Sequence, residues 1–420
     1  MRVSHVALDD FRSYRHAVIE LPAGTTVLVG PNGQGKTNLV EAIAYLSAFT
    51  SHRVAAEGAM VRTDPEVPPD QAPGGAVIRV KLVTREHARV GEGSPGALAR
   101  EQVLELEIVR GRANRARLNR TTVRPRDIVG MVRTVVFAPE DIQLVRGDPA
   151  ARRQFLDDLA TQLHPTLSVA RADFDRVARQ RGALMRQASH QIRRGRAPDL
   201  STLDVWDEQF AHLSSRMTAA RAEVVDLIAR PAARAYLSVS DSPKALTMRL
   251  DASVDRVDGS GAGGDPQDVD GQAARLLQVL EDQRGREAER GVNLVGAHRD
   301  DLNLGLGGMP VKGYASHGET WSVALAARLA AFSVLEDQGE EPILILDDVF
   351  SELDTARRRG LAEMVAGADQ VLVTAAVAED VPEALRGHRL DVSWEAGSGS
   401  VVSSQRDVRA GVEGEVGDDS

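Results

Sequence analysis

The 420-residue chain contains no cysteine. Disulfide staples and thiolate metal sites are excluded, and a reducing cytosol fits without being required. Nowhere do about 18 apolar residues run together, the minimum for a helix crossing a bilayer, so no membrane partner is expected. Met1 to Tyr14 mixes Arg2, Asp9, Asp10 and Arg12 with isolated apolar residues and lacks the continuous apolar stretch of a signal peptide. A soluble, cytoplasmic protein is the expectation. Lysine is scarce, with four in the chain, so arginine is the default cation. A net basic charge is missing too. The formal charge of −10 excludes a uniformly basic nucleic-acid binder and leaves only local patches for phosphate contact.

Such patches are present. Arg110, Arg112, Arg115, Arg117, Arg120, Arg124, Arg126 and Arg133 lie close together with only Asp127 opposing them, and a second cluster runs from Arg171 through Arg196. Each is either a DNA surface or a solvated face. The composition, 42% hydrophobic and 27% charged, is otherwise that of a globular protein with one large domain and an accessory one. Strand-like alternation around Val3, Val6 and Leu8, and strands expected at Thr26–Val29, Val77–Thr84, Leu104–Arg110 and Thr134–Phe137, make the first 140 or so residues mixed α/β. Prolines and glycines between Asp64 and Gly75 mark an exposed loop.

From about Pro149 the pattern becomes helical. Leu203, Trp206, Phe210, Leu213, Met217, Ala220, Val224 and Leu227 form a heptad stripe, and Leu167, Ala170, Phe174, Val177, Leu184 and Ala188 offer a matching one spoiled by Arg181. An antiparallel two-helix arm is expected over 149–250, with two long helices packed on the larger domain as the alternative. A flexible Asp- and Gly-rich excursion is expected over 251–271 and a disordered acidic tail over 404–420. Residues 1–148 and 272–403 would form the two lobes of the main domain.

Gly30, Pro31, Asn32, Gly33, Gln34, Gly35, Lys36 and Thr37 fit the phosphate-binding P-loop in full, between a strand and a helix whose Leu39, Ile43 and Leu46 share one face. The glycines let successive backbone N–H groups face phosphate oxygens, and the helix adds its positive end. Lys36 should reach the β and γ phosphates of ATP. Thr37 should place its hydroxyl on Mg²⁺, with Asn38 following at the site. Far downstream the apolar run Pro342–Leu346 ends in Asp347 and Asp348, reading as a buried strand that delivers a magnesium-holding acid and an acid to orient or deprotonate water. About 310 residues separate Lys36 from Asp347, so the helical insertion must leave and re-enter the domain.

Longer motifs carry a resemblance to the RecF family within the SMC and ABC-type ATPases. They are Leu8–Tyr14, Val136–Gly147, Arg152–Asp157, Gly296–Leu302, the segment Tyr314–Glu319 and Asp347–Asp354, in family order over residues 1 to 395. The resemblance implies an α/β ABC-type P-loop head built from both chain ends, with an inserted helical arm. It implies that Ser316 and Gly318 form a signature loop serving the ATP of a second copy, although Ser316-x-x-Glu319 also reads as a capping box. It further implies an ATP-dependent homodimer, a weak DNA-stimulated ATPase, which binds gapped or junction DNA and acts with RecR, RecO and RecA in repair. Glu140 would stand at the Q-loop position, and Arg53, Arg112, Arg115 and Arg117 would touch DNA unless Arg53 forms a surface salt bridge. Three departures bear on turnover: Glu319 replaces a common Gln, Ala375 stands where transporter ATPases carry a histidine, and Asp348 replaces a longer Glu. A transporter ATPase subunit and an SMC-like end-processing ATPase are the alternatives.

Overall fold

The computed structural model describes residues 1–51, 53–54, 56–63, 72–85, 99–240, 242–258, 264–339 and 341–404. Along the chain run β1 (Arg2–Phe11), β2 (Tyr14–Glu20), β3 (Gly24–Val29), α1 (Lys36–Ala48), β4 (Gly75–Arg85), β5 (Ala99–Val109), β6 (Arg115–Leu118), β7 (Thr121–Val123) and β8 (Thr134–Phe137). Next come α2 (Ile142–Arg146), α3 (Pro149–Leu163), α4 (Leu167–Arg193), α5 (Leu203–Val239), β9 (Leu246–Asp251), α6 (Ser253–Asp258), α7 (Val269–Arg290), β10 (Asp301–Leu306) and β11 (Met309–Pro310). The chain closes with α8 (His317–Asp337), β12 (Ile343–Asp347), α9 (Val349–Glu352), α10 (Thr355–Val365), β13 (Gln370–Ala375), β14 (His388–Glu395) and β15 (Gly399–Ser404). Two compact units result: residues 1–141, 238–240 and those from 331 on, and residues 142–237 with 241–330.

Among the described residues, the first unit holds one twelve-stranded sheet in the order β7-β6-β5-β4-β1-β2-β15-β14-β3-β13-β12-β8. Its β14-β3-β13-β12-β8 portion is parallel throughout. The β7-to-β2 portion is antiparallel. β15 joins the two, antiparallel to β14 and meeting β2 at the single pairing of Gly399 with Tyr14. Parallel strands need cover on both faces, and β12 is accordingly apolar from Ile343 to Leu346, with all four side chains fully buried. Leu39, Ile43 and Leu46 of α1 pack with Val6, Leu8, Ile345 and Leu372 in the same core. The sheet thus draws strands from both ends of the chain, as expected of the head.

The second unit differs from the two-helix arm. Helix α7, expected in the head, packs Leu276, Val279 and Leu280 against Phe174 and Val177 of α4 and Phe210 and Met217 of α5. The arm core therefore includes α7 as a third long helix, with Val254 of the short α6 in the same cluster. Residues 251–271 are largely ordered: Asp251 ends β9, Ser253–Asp258 is helical and α7 starts at Val269, while 259–263 lie outside the described residues. Leu227 is exposed, and burial on α5 passes to Ile228. Arg181, read as a flaw in the stripe, is fully buried and donates to Asp207 at 2.6 Å, Asn293 at 2.8 Å and Glu287 at 2.6 Å. Both carboxylates are buried too, so the guanidinium ties α4, α5 and α7 together through three charge-assisted bonds. Of the loop expected between Asp64 and Gly75, residues 64–71 lie outside the described residues, as does the tail from 405 on; Ser404 belongs to β15.

Removing one partner of a buried ion cluster strands the others. Arg181→Leu should lower stability by about 3–5 kcal/mol, read as a shifted urea midpoint in tryptophan fluorescence, with Trp206, packed against the apolar core of this unit, as reporter. A shift below about 1 kcal/mol would show that the network carries no such weight.

Candidate nucleotide site

The site is assembled at the carboxyl ends of β3, β12 and β13. Gly35 caps α1 with φ 109°, a conformation open to glycine, and a Cβ there would lie 2.3 Å from Ser400 Oγ. Gly30 needs no special φ but has no room either, since a Cβ would meet the Val392 carbonyl oxygen at 2.1 Å. Lys36 Nζ donates to the carbonyls of Gly30 at 2.5 Å and Pro31 at 3.0 Å, which folds the ammonium back over the loop. Burial lowers its pKa, opposed by the charges of Asp348 and Asp347.

Thr37 Oγ1 donates to Asp347 Oδ1 at 2.9 Å, joining residues 310 positions apart. Thr374 Oγ1 donates to the same oxygen at 2.7 Å and accepts the Asp348 backbone N–H at 2.9 Å. Burial first, and Asp347 next, raise the Asp348 pKa. A threonine hydroxyl and a carboxylate brought together are the hard oxygen donors that Mg²⁺ takes when phosphates complete its shell. Among the described residues no group of three His, Cys, Asp or Glu side chains could hold a metal alone. The donor set therefore fits Mg²⁺ delivered with a nucleotide.

Sequence reading missed the brace behind the loop. Ser400 is fully buried; its Oγ donates to the Gln34 carbonyl at 2.6 Å and lies 2.6 Å from Ser13 Oγ, which accepts from Asn38 Nδ2 at 2.7 Å. Gln34 Oε1 takes the Trp394 N–H at 2.6 Å, and Tyr14 donates its hydroxyl to the Gly35 carbonyl at 3.1 Å. The β14–β15 hairpin and the β1–β2 turn thus grip the P-loop from two sides. No local signal marks Ser400, which sits in a Gly- and Ser-rich stretch without hydrophobic period.

Beside this brace a cavity of about 430 Å³ is lined by Arg12, Asn38, Arg53, Arg62 and Trp394, among others. Glu41 of α1, its side chain fully buried, accepts from Arg12 Nε at 2.9 Å and Nη2 at 2.6 Å, and faces Arg53 at 3.4 Å. Burial opposes ionisation there, but the bonds from Arg12 and Ser51 and the two guanidinium charges hold the carboxyl below its ordinary range. Arg53 also donates to Asn38 at 2.8 Å, beside its ion pair with Glu41. The expectation that only Asp127 opposes the Arg110–Arg133 cluster fails. Cross-strand register puts Glu107 opposite Arg115 and Glu105 opposite Arg117, with ion pairs at 3.5 and 2.8 Å. Arg112 is exposed.

In the second unit, Ser316 is exposed just ahead of α8. The capping box forms: Glu319 accepts the Ser316 N–H at 2.9 Å and Ser316 Oγ the Glu319 N–H at 3.2 Å. Lys244 donates to Glu319 at 2.7 Å and lowers its pKa, so the departure from Gln is neutralised within its own unit. Gly318 is half-buried in the first turn, and Glu140 is exposed after β8. In the Gly296–Leu302 motif, Asp300 accepts from Thr218 at 2.7 Å and Arg221 at 3.2 Å, and Asp301 from Arg152 at 2.6 and 3.0 Å. Burial pushes the His298 imidazole down to about 4.

Residues 2–392 match the family described as RecF/RecN/SMC N terminal domain. The chain is 49% identical to the DNA replication and repair protein RecF of Beutenbergia cavernae, over 93% of this chain and 98% of that protein. It is 46% identical to the protein of that name from Streptomyces avermitilis, over 94% and 98%. A solved structure, "recombination mediator protein RecF-ATP in RecFOR pathway", superposes with a TM-score of 0.77 at 21% identity, covering 96% of this chain and 97% of that one. No helix among the described residues is long and apolar enough to cross a membrane. With its head fold, its P-loop site and this similarity along nearly its full length, the chain belongs to the RecF family of SMC and ABC-type ATPase heads.

Proposed function

We propose that this protein is an ATP-driven DNA-binding dimer of recombinational repair, acting in the cytoplasm. The observation that carries the reading is the meeting of Lys36, Thr37, Asp347 and Asp348 at one P-loop, paired with an exposed, pre-capped Ser316 that its own unit leaves free to face a second copy. Each composite site takes the four residues from one head and Ser316 with Gly318 from its mate, so pairing requires ATP. In the loop, Lys36 exchanges its two carbonyl partners for β and γ phosphate oxygens, and the N–H groups of Gly33 and Gly35 face the phosphates. Mg²⁺ would be held by Thr37 and Asp347 and would supply positive charge against the phosphates. Asp348 accepts the proton of the attacking water, and its raised pKa suits that role. Hydrolysis is slow and DNA-stimulated, and reopens the pair.

The relatives, a DNA replication and repair protein and a recombination mediator in the RecFOR pathway, support DNA as ligand and RecR and RecO as partners, and RecA loading is the outcome this reading assigns. With an overall charge of −10, DNA contact falls to local arginines. Arg112 is the strongest candidate, ahead of Arg115 and Arg117, which are held by Glu107 and Glu105, and of Arg53, held by Glu41.

Sedimentation with and without ATP and gapped DNA tests the whole scheme. Wild type should dimerise with ATP, Lys36→Ala should stay monomeric, and Ser316→Arg should bind ATP as a monomer without pairing; a Ser316→Arg variant that dimerises normally removes the composite site. Ser400→Ala should weaken ATP binding by about 1 kcal/mol, roughly fivefold, in a fluorescent-nucleotide titration. Arg112→Ala should weaken duplex binding alike across sequences and lower the slope of log affinity against log salt by about one.

A further inference from the structure

One buried hydroxyl at the site belongs to none of the nucleotide motifs. Thr374 lies near the end of β13, 1% exposed, within the run Val371-Leu372-Val373. Valine would satisfy the burial and the strand preference of this position equally well, and a buried hydroxyl costs free energy unless it is bonded. Here it is bonded twice. The hydrogen goes to Asp347 Oδ1 at 2.7 Å, and an oxygen lone pair takes the Asp348 N–H at 2.9 Å.

The second bond acts where the backbone is unusual. Asp348 sits at φ 51°, ψ 22°, the left-handed region. That conformation is disfavoured for an L-residue, least so for the short Asp and Asn side chains. Strand register keeps the hydroxyl in place, because Thr374 pairs with Asp347 across β12 and β13 and with Leu28 of β3 on its other side. The carboxylate it orients is the one Thr37 also bonds, at 2.9 Å. Resting on the reading of Asp347 and Asp348 as the hydrolytic acids, we propose that Thr374 is a positioning residue for turnover, setting the Asp347 carboxylate and the Asp348 backbone together through one hydroxyl.

Thr374→Val keeps shape and burial and removes both bonds; Thr374→Ser keeps the bonds and removes the methyl. Three measurements on the full chain decide the matter: the Kd for ATP with Mg²⁺, kcat at saturating ATP and DNA, and hydrogen–deuterium exchange of the peptide containing Asp348. For Thr374→Val the expected result is a Kd within about threefold of wild type, a kcat lowered at least about tenfold and faster exchange at Asp348, with Thr374→Ser close to wild type throughout. A smaller fall in kcat, a loss confined to Kd, or a Thr374→Ser variant as impaired as Thr374→Val overturns the assignment. Should wild type show no turnover, the hydrolytic reading falls instead, and unchanged exchange at Asp348 in Thr374→Val still refutes the positioning role by itself.

Discussion

Asp347 Oδ1 accepts hydrogen bonds from Thr37 and from Thr374, and so fastens the start of α1 to the ends of β12 and β13. The partners lie 310 and 27 residues away in sequence. Closing so long a loop costs entropy that two hydrogen bonds do not repay. The parallel β3-β13-β12 register brings them together, with Ala375 beside Val29 and Asp347 beside Thr374. Burial of β12 on both faces supplies the free energy, and the polar contacts at the strand ends use the alignment it creates. The same logic places ligand chemistry at the carboxyl ends of parallel strands generally.

What was legible in the sequence follows from this division. The P-loop, Asp347 and Asp348 were readable because each is a short contiguous pattern whose flanking strand or helix is apolar in the right period. The brace was not. Ser400, Ser13 and Gln34 meet only through the β14–β15 hairpin, and nothing near Ser400 signals a partner so far away. Thr374 hid for another reason: in a Val- and Leu-rich strand a threonine looks like one more β-branched residue. The arginine cluster was misjudged because its acids come from β5, and only cross-strand register reveals Glu105 beside Arg117 and Glu107 beside Arg115.

The helical unit teaches a related lesson about charge in apolar stripes. Arg181 interrupts its heptad seam, and as a lone cation it would be expelled from a core. With Asp207, Asn293 and Glu287 each supplying an acceptor, every nitrogen of the guanidinium makes a bond, and the group lies over the Phe210 ring at 5.2 Å. Two of those partners, Glu287 on α7 and Asn293 just beyond it, come from a segment that sequence reading assigned to the head. A wrong boundary and a misread arginine were therefore one error, since the stripe makes sense only once the third helix is present.

The hairpin that grips the P-loop has a consequence for biosynthesis. Gln34 and its hydroxyl partner Ser400 are 366 residues apart, and a ribosome adding roughly 5–20 residues per second needs roughly 20–70 seconds to travel between them. For most of that interval the glycine-rich turn has only the Tyr14 side of its grip, and β3 lacks both of its parallel neighbours, β13 and β14. The nascent chain therefore cannot acquire a finished nucleotide cradle until Ser400 has been made, long after the glycine-rich turn itself.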